Sequence, residues 1–481
     1  MIGYLSLTRA ALRRWTTRAV FVLLLLSLAC FESIDTEPYI NQSYYHQTIE
    51  ALNQEGSFMS ADTGTLMAGA AKISITPAPG THGGDLHDLP LAGYGARQGR
   101  PAQGILDEVH ARALWIRKGT FERVILSLEM LIPPPEAVLA LEEKIKDRLG
   151  IDPSTIYWGA THTHSGPGGW GVGWLAEAFA GPHHASFQPW LTERIFTCLE
   201  AARLDLQPVQ WASSSVTTDG LVRNRLVGEK GQVDQQLDSM FLRAGDRVLA
   251  TIGVFSAHAT VVGAHSLDYC GDYPGHWASK IEAATGGTAL FLAGGVGSHA
   301  AIPPSGDHQG AVQLGEQLAM LSLENLQEAI FSDKVSMAYG EAPVYLPSPH
   351  IRIWRVWRLR PWLARLILPI ERAVKVQAFQ IGNALMISTP CDFSGELCLP
   401  IRAYFGQHKT HAMVTSFNGH YIGYVVPQKY YFLNEYETQI MGFYGPQMAP
   451  YMSEIIMRLG TATLETNLAG LEINRTANQA P

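Results

Sequence analysis

The chain has 481 residues, 47% of them hydrophobic, enough for two or three average domains or for one large domain with a substantial core. Lysine and arginine total 35 against 43 acidic residues, a net charge of −8, which excludes an overall basic field suited to nucleic acid. Five cysteines (Cys30, Cys198, Cys270, Cys391, Cys398) lack any C-x-x-C spacing, so no cysteine-built zinc site is expected; the last four can pair in an oxidising compartment or stay free.

At the amino terminus Arg9, Arg13, Arg14 and Arg18 precede the apolar run AVFVLLLLSLAC, residues 19–30. That run is short for a bilayer span and suits a signal-peptide core, with an uncleaved anchor as the alternative, so the chain is expected to be exported: periplasmic, secreted or membrane-anchored. Residues 31–67 read as an N-terminal arm around a helix at 44–52. The alternation of AGAAKISITP, ending at Pro77, predicts the first core strand over 68–77. EVHARALWIRKG and FERVILSLEML predict two strands joined at Lys118-Gly119-Thr120, and a helix follows over 135–149 with Gly150 as its stop. STIYWGA reads as a buried strand, residues 189–205 as a helix, and VQWASSSVT and VLATIGVFSAHAT as further strands. Strands and helices alternate without a short repeat. The fold class is therefore α/β: layered mixed β-sheets flanked by helices in a single large domain over 68–481.

Residues 350–374 break the pattern. Trp354, Trp357 and Trp362 are interleaved with Arg352, Arg355, Arg358, Arg360 and Arg365, and Pro361 forbids one continuous helix. The composition fits a membrane interface or an amphipathic helix packed on the body of the protein. Residues 451–459 read as a closing helix opened by Pro450 and stopped at Gly460, with INRTANQAP fraying beyond it.

The stretch ATHTHSGPGG places His162 and His164 where a strand runs out into a glycine-rich loop. Strand alternation would point both imidazoles to one face, ready for a metal, an anion or the core itself. A catalytic zinc draws three or four ligands from distant segments and keeps a position open. Three further strand ends offer suitable groups: His258 after TIGVFSAHAT, Asp392 or Glu396 in LMISTPCDFSGE, and Asn418, His420, Tyr421 and Tyr424 in SFNGHYIGYVVP.

THTHSGPGG is similar to the signature of the neutral ceramidases, zinc-dependent amidases that cleave N-acylsphingosine to sphingosine and fatty acid. GAAKISITP, GYGARQGR, FSAHAT and YIGYVVPQKYYFLNEYE resemble further blocks of that family in matching order, over about residues 68–460. The resemblance implies Zn2+ held by His162, His258, Asp392 and Tyr424, with Tyr436 at the reacting amide; the family has glutamate where Asp392 stands. It implies a lipid or acyl-amide substrate; the Trp/Arg segment would then help the chain sit on a membrane surface, the charge excludes nucleic acid as a partner, and nothing fixes the oligomeric state. The family's catalytic serine is replaced here by Ala300, with Ser298 and His299 close by but out of register, which points to metal-activated water rather than a serine nucleophile. His164 is then expected either to support the metal ligands from behind or to act as proton shuttle, and Tyr436 to act as oxyanion donor. Gly168, Gly169 and Trp170 are expected to bind substrate, with Trp174 beside an acyl pocket. Asp272 either orients a histidine or caps a loop, the cap being favoured. The alternatives are a zinc hydrolase of another ester or amide, and a non-catalytic lipid-binding relative.

Overall fold

The computed structural model of the chain describes residues 14–18, 20–21, 29–61, 63–77, 86–368 and 372–477. Most of the expected leader core, 19–30, lies outside them, and among the described residues no helix is long and apolar enough to cross a membrane.

Three consecutive stretches share one construction. In the first, Leu66–Ser74, His110–Lys118 and Phe121–Leu128 pair antiparallel; helix Pro135–Leu149 returns the chain to Ile156–Ala160, parallel to Phe121–Leu128, and helix Phe187–Leu204 closes the unit. The second runs Gln210–Thr217, Gln236–Ala244, Arg247–Phe255, helix Asp272–Thr285, parallel strand Thr288–Ala293 and helix His308–Glu328. The third runs Met337–Tyr345, Ala373–Ile381, Ala384–Ser388, helix Gly395–Gly406, parallel strand His411–Thr415 and helix Met448–Ala477. Each parallel pair needs a long crossover, and a helix supplies it.

Strand alternation divides the side chains between two kinds of core. Leu114 faces a central core shared by all three sheets, which also holds Tyr157, Ile252, Leu290, Phe379 and Met413. Trp115, the next residue, faces the helices that cover the first sheet. The second and third sheets have helix-covered outer faces of their own, around Trp277 and Ile456. The result is an α/β fold of three mixed sheets about one centre. The loops that follow Ala160, Phe255 and Ser388 all leave carboxyl ends of parallel-paired strands, where ligand sites form in α/β folds.

Several sequence readings are corrected. The arm is part of the body: helix Ser43–Gln54 leads into Ser57–Ala61, an edge strand of the third sheet beside Met337–Tyr345. The last helix does not stop at Gly460, where a Cβ would lie 2.6 Å from Phe405 Cζ; the glycine admits a close neighbour. The Trp/Arg segment is no amphipathic helix. Arg352–Trp354 and Trp357–Leu359 form a hairpin that pairs with Phe31–Ser33, and Pro361 opens the short helix Pro361–Ile367. Arg352 and Arg358 are buried, the first donating to the carbonyls of Phe432 and Leu433 and the second pairing with Glu32 at 2.8 Å. Trp354, Trp357 and Trp362 face outward. The cysteines are all free thiols.

Candidate metal centre

Strand Ile156–Ala160 ends before the histidines, and His162 takes a left-handed φ of 62°. The two imidazoles therefore meet through a turn and not through strand alternation. The His162 ring stacks on Phe417 with centroids 4.2 Å apart. Its Nδ1 lies 2.7 Å from the Leu131 carbonyl, and its Nε2 lies 3.0 Å from His258 Nε2 and 3.3 Å from Asp392 Oδ1. His258 repeats the arrangement: Nδ1 is 2.8 Å from the Val296 carbonyl, and Nε2 is 3.4 Å from Asp392 Oδ1 and 3.1 Å from the Tyr424 hydroxyl. Asp392 and Tyr424 stand side by side because Asp392–Phe393 pairs with Tyr424–Val425.

A carbonyl can only accept, so both Nδ1 atoms must be the protonated ones. In the neutral form that a metal ligand requires, both Nε2 atoms then carry lone pairs, aimed at each other across 3.0 Å. Asp392 Oδ1 joins them, buried and without a hydrogen-bond partner, while Oδ2 accepts the Tyr421 hydroxyl at 2.7 Å. Such a cluster of unprotonated donors repels itself unless a cation sits among them. The donor set of two imidazoles, a carboxylate and a phenol, each oriented by an outer partner, fits a zinc ion.

Burial, then the charge of Arg225, holds His258 well below the usual histidine range, as a neutral ligand must be. Burial, then His162, does the same for His164. Burial and Asp392 push the phenol of Tyr424 well up; Arg225 opposes this, donating to its oxygen at 3.1 Å, and is itself paired with Glu437 at 2.8 Å. A bound cation would reverse the balance in favour of phenolate.

His164 Nε2 lies 3.4 Å from His162 Nε2, and its Nδ1 is buried without a partner. Gly93, at φ 115°, leaves room for it: a Cβ there would lie 2.6 Å from His164 Cγ. His162, His164, Tyr424 and Tyr436 line a cavity of about 380 Å3 whose other walls include Trp170, Phe179, Leu366 and Phe443. Trp174 stands at its mouth, 63% exposed. Tyr436 is 40% exposed with its ring 5.7 Å from Tyr424, and burial followed by Asp392 keeps its hydroxyl protonated.

Gly168 and Gly169 do not line this cavity. Their amides donate to Pro90 and Ala180, and a Cβ on Gly168 would lie 2.4 Å from the Ala180 carbonyl, so they serve close backbone packing. Asp272 accepts from the Val262 and Tyr273 amides, which makes it a loop cap. Glu396 is turned toward Lys429 and Asn224, leaving Asp392 as the carboxylate of the centre. His299 Nε2 accepts from the Asp234 amide, so its Nδ1 must carry the proton and donate to Ser298, 2.9 Å away. A histidine so held cannot act as base toward Ser298. Ala300 is buried on a short strand bridged to His258.

No protein-family profile and no curated protein sequence matches the chain. Among solved structures it is similar to neutral ceramidase from Pseudomonas aeruginosa, with a TM-score of 0.68 and 18% identity over 83% of this chain and 75% of that one. A ceramidase complexed with C2 matches over the same shares, with a TM-score of 0.69. The chain has the ceramidase fold.

Arg225, Glu437 and Phe417 surround the ligands although sequence reasoning gave them no role, and Tyr421, a candidate ligand by sequence, stands behind Asp392 instead. Tyr421 lies in the tyrosine-rich block, three residues before Tyr424, and was within reach. Arg225 follows the short strand Val222–Asn224, in a stretch with no motif to mark it.

Proposed function

We propose that the protein is a zinc-dependent hydrolase that cleaves an N-acylated lipid of the ceramide type. The observation that carries this reading is the cluster of His162, His258, Asp392 and Tyr424 at the wall of an apolar cavity. These four residues would hold the zinc, and the chemistry it would supply is a coordinated water made acidic enough to act near neutral pH and a polarised carbonyl. His164, neutral and beside His162, takes up and returns the proton that passes from water to the leaving amine. The protonated Tyr436 hydroxyl donates to the oxygen on which charge develops. Arg225 anchors the Tyr424 oxygen, and Trp170 with the apolar walls receives an acyl chain and excludes water.

The mouth of the cavity supports a lipid substrate. Leu366 lies on it, the helix that carries Leu366 also exposes Trp362, and the preceding hairpin exposes Trp354 and Trp357. Such a rim lies at headgroup depth on a bilayer, which agrees with an exported protein working at a membrane surface. The test offers a fluorescent short-chain ceramide beside simple acyl esters and amides, with and without chelator. Release of sphingosine that stops with chelator is expected; turnover only of the simple substrates selects the second reading, a zinc hydrolase of another ester or amide, which Ala300 at the family's serine position favours.

A further inference from the structure

A second group of metal-type side chains lies outside the cavity. Asp107 follows the short strand Gly104–Ile105, Cys270 follows Asp268–Tyr269, His276 is in the second turn of helix Asp272–Thr285, and His308 is the first residue of helix His308–Glu328. Their donor atoms all fall within 4.8 Å of one another. Three of them close on one oxygen, Asp107 Oδ2: His308 Nε2 at 2.7 Å, Cys270 Sγ at 3.0 Å and His276 Nε2 at 3.3 Å. The first two are hydrogen bonds. His276 Nε2 makes none, although it is buried.

The fold goes to some length to bring these groups together. Asp307 caps its helix by accepting the Gly310 amide at 2.9 Å, which fixes His308 at the helix start. Gly315 lets the two helices touch: a Cβ there would lie 2.5 Å from the Tyr273 carbonyl and 2.6 Å from the Cβ of His276. Tetrahedral zinc, with bonds of about 2.0–2.3 Å, sets neighbouring ligand atoms about 3.3–3.8 Å apart. The three spacings to Asp107 Oδ2, 2.7–3.3 Å, lie at or just below that range, as hydrogen bonds would draw them, and the remaining donor pairs lie within 4.8 Å. Two imidazoles, one thiolate and one carboxylate form a ligand set of the softness zinc prefers, and a bound cation takes the cysteine as thiolate.

We infer that Asp107, Cys270, His276 and His308 form a second zinc site, structural in role. It joins two strand ends to two helix starts. It also bears on the first centre, because Thr163 Oγ1 donates to the Cys270 carbonyl at 2.8 Å and the Cys270 amide donates to the Ser165 carbonyl at 3.1 Å. The residues on either side of His164 are thus tied to a ligand of the second ion. The mixed ligand set explains why cysteine spacing gave no sign of it.

The full chain, stripped with chelator and reloaded with zinc chloride, is expected to hold two zinc equivalents by elemental analysis. His308→Ala, checked for folding by circular dichroism, is expected to hold one, and His162→Ala to lose the other. Reloaded with cobalt chloride, the wild-type protein and His162→Ala should show a near-ultraviolet thiolate-to-cobalt charge-transfer band, since the first centre has no sulfur ligand; Cys270→Ser should lack it. A folded His308→Ala with undiminished zinc, or a cobalt-loaded wild type without the band, overturns the site. One equivalent in the wild type together with the band would leave this site standing and remove the first.

Discussion

The two clusters share one loop and use it in opposite ways. His162 and His164 point into the cavity, while Thr163 and Ser165 hold the backbone of Cys270 on the other side. The first cluster is enclosed: Asp392 and His258 are fully buried, and His162, His258, Asp392 and Tyr424 each have an outer partner in Leu131, Val296, Tyr421 or Arg225. The second is shallow, with the side chains of Asp107 and His308 29% and 34% exposed. Its groups come from short strand ends and helix starts. An ion held by oriented ligands beside an apolar chamber suits chemistry on a lipid; one held at the junction of secondary elements suits bracing.

The comparison breaks most sharply at the first cluster. His258→Ala is expected to remove one metal equivalent and lower turnover by more than about 100-fold, beyond what loss of an outer partner alone costs. Elemental analysis beside an assay of ceramide hydrolysis checks this. Tyr421→Phe removes only the donor to Asp392 and is expected to cost about 10–100-fold in zinc affinity, read by competition with a chelator. Replacing Trp354, Trp357 and Trp362 together with serine should weaken vesicle binding by about tenfold or more, since burying one such side chain is worth about 1.5–3 kcal/mol. Turnover of a soluble short-chain substrate should be unchanged, and vesicle binding that also stays unchanged would remove the membrane rim.

Smaller effects sharpen the contrast. His308→Ala is expected to lower the melting temperature by a few degrees, from loss of roughly 1–3 kcal/mol of ligand-linked stability, while turnover stays within a few-fold of wild type. Acid should act on the first cluster without metal. His258 and His164 are held well below the ordinary histidine range, so the unfolded chain takes up protons near pH 6.5 before the folded chain does. Their contribution to stability is therefore complete above about pH 6.5 and is lost as pH falls from there toward their folded-state values. Melting of the chelator-treated protein from about pH 7 to pH 5 should show this fall, and His164→Gln should make it shallower.

What could be read from the chain in advance was local. The helix Pro135–Leu149 has the predicted bounds because its apolar spacing, its opening proline and a following glycine at φ 65° all act within a few residues. The histidines at strand ends stood out for the same reason, since an apolar strand such as TIGVFSAHAT has no local use for an imidazole. Residues 350–374 misled because strand pairing with Phe31–Ser33, far away in sequence, decides which side of each tryptophan and arginine meets water. Gly460 misled because a glycine that stops a helix and one that admits a neighbour look alike until Phe405 is in place.

By itself, then, the sequence determined the alternation of strands and helices, the α/β class and the chemical types able to bind a cation, since these follow from periodicity and side-chain identity. Only the tertiary structure decided that Asp392 rather than Glu396 meets the histidines, that Arg225 and Tyr421 stand behind the ligands, and that Asp107, Cys270, His276 and His308 gather at one point. The reason is physical: these groups are brought together by three sheets packing on a shared core, and distances across such a core are set by volume and helix crossings that no short stretch of chain encodes.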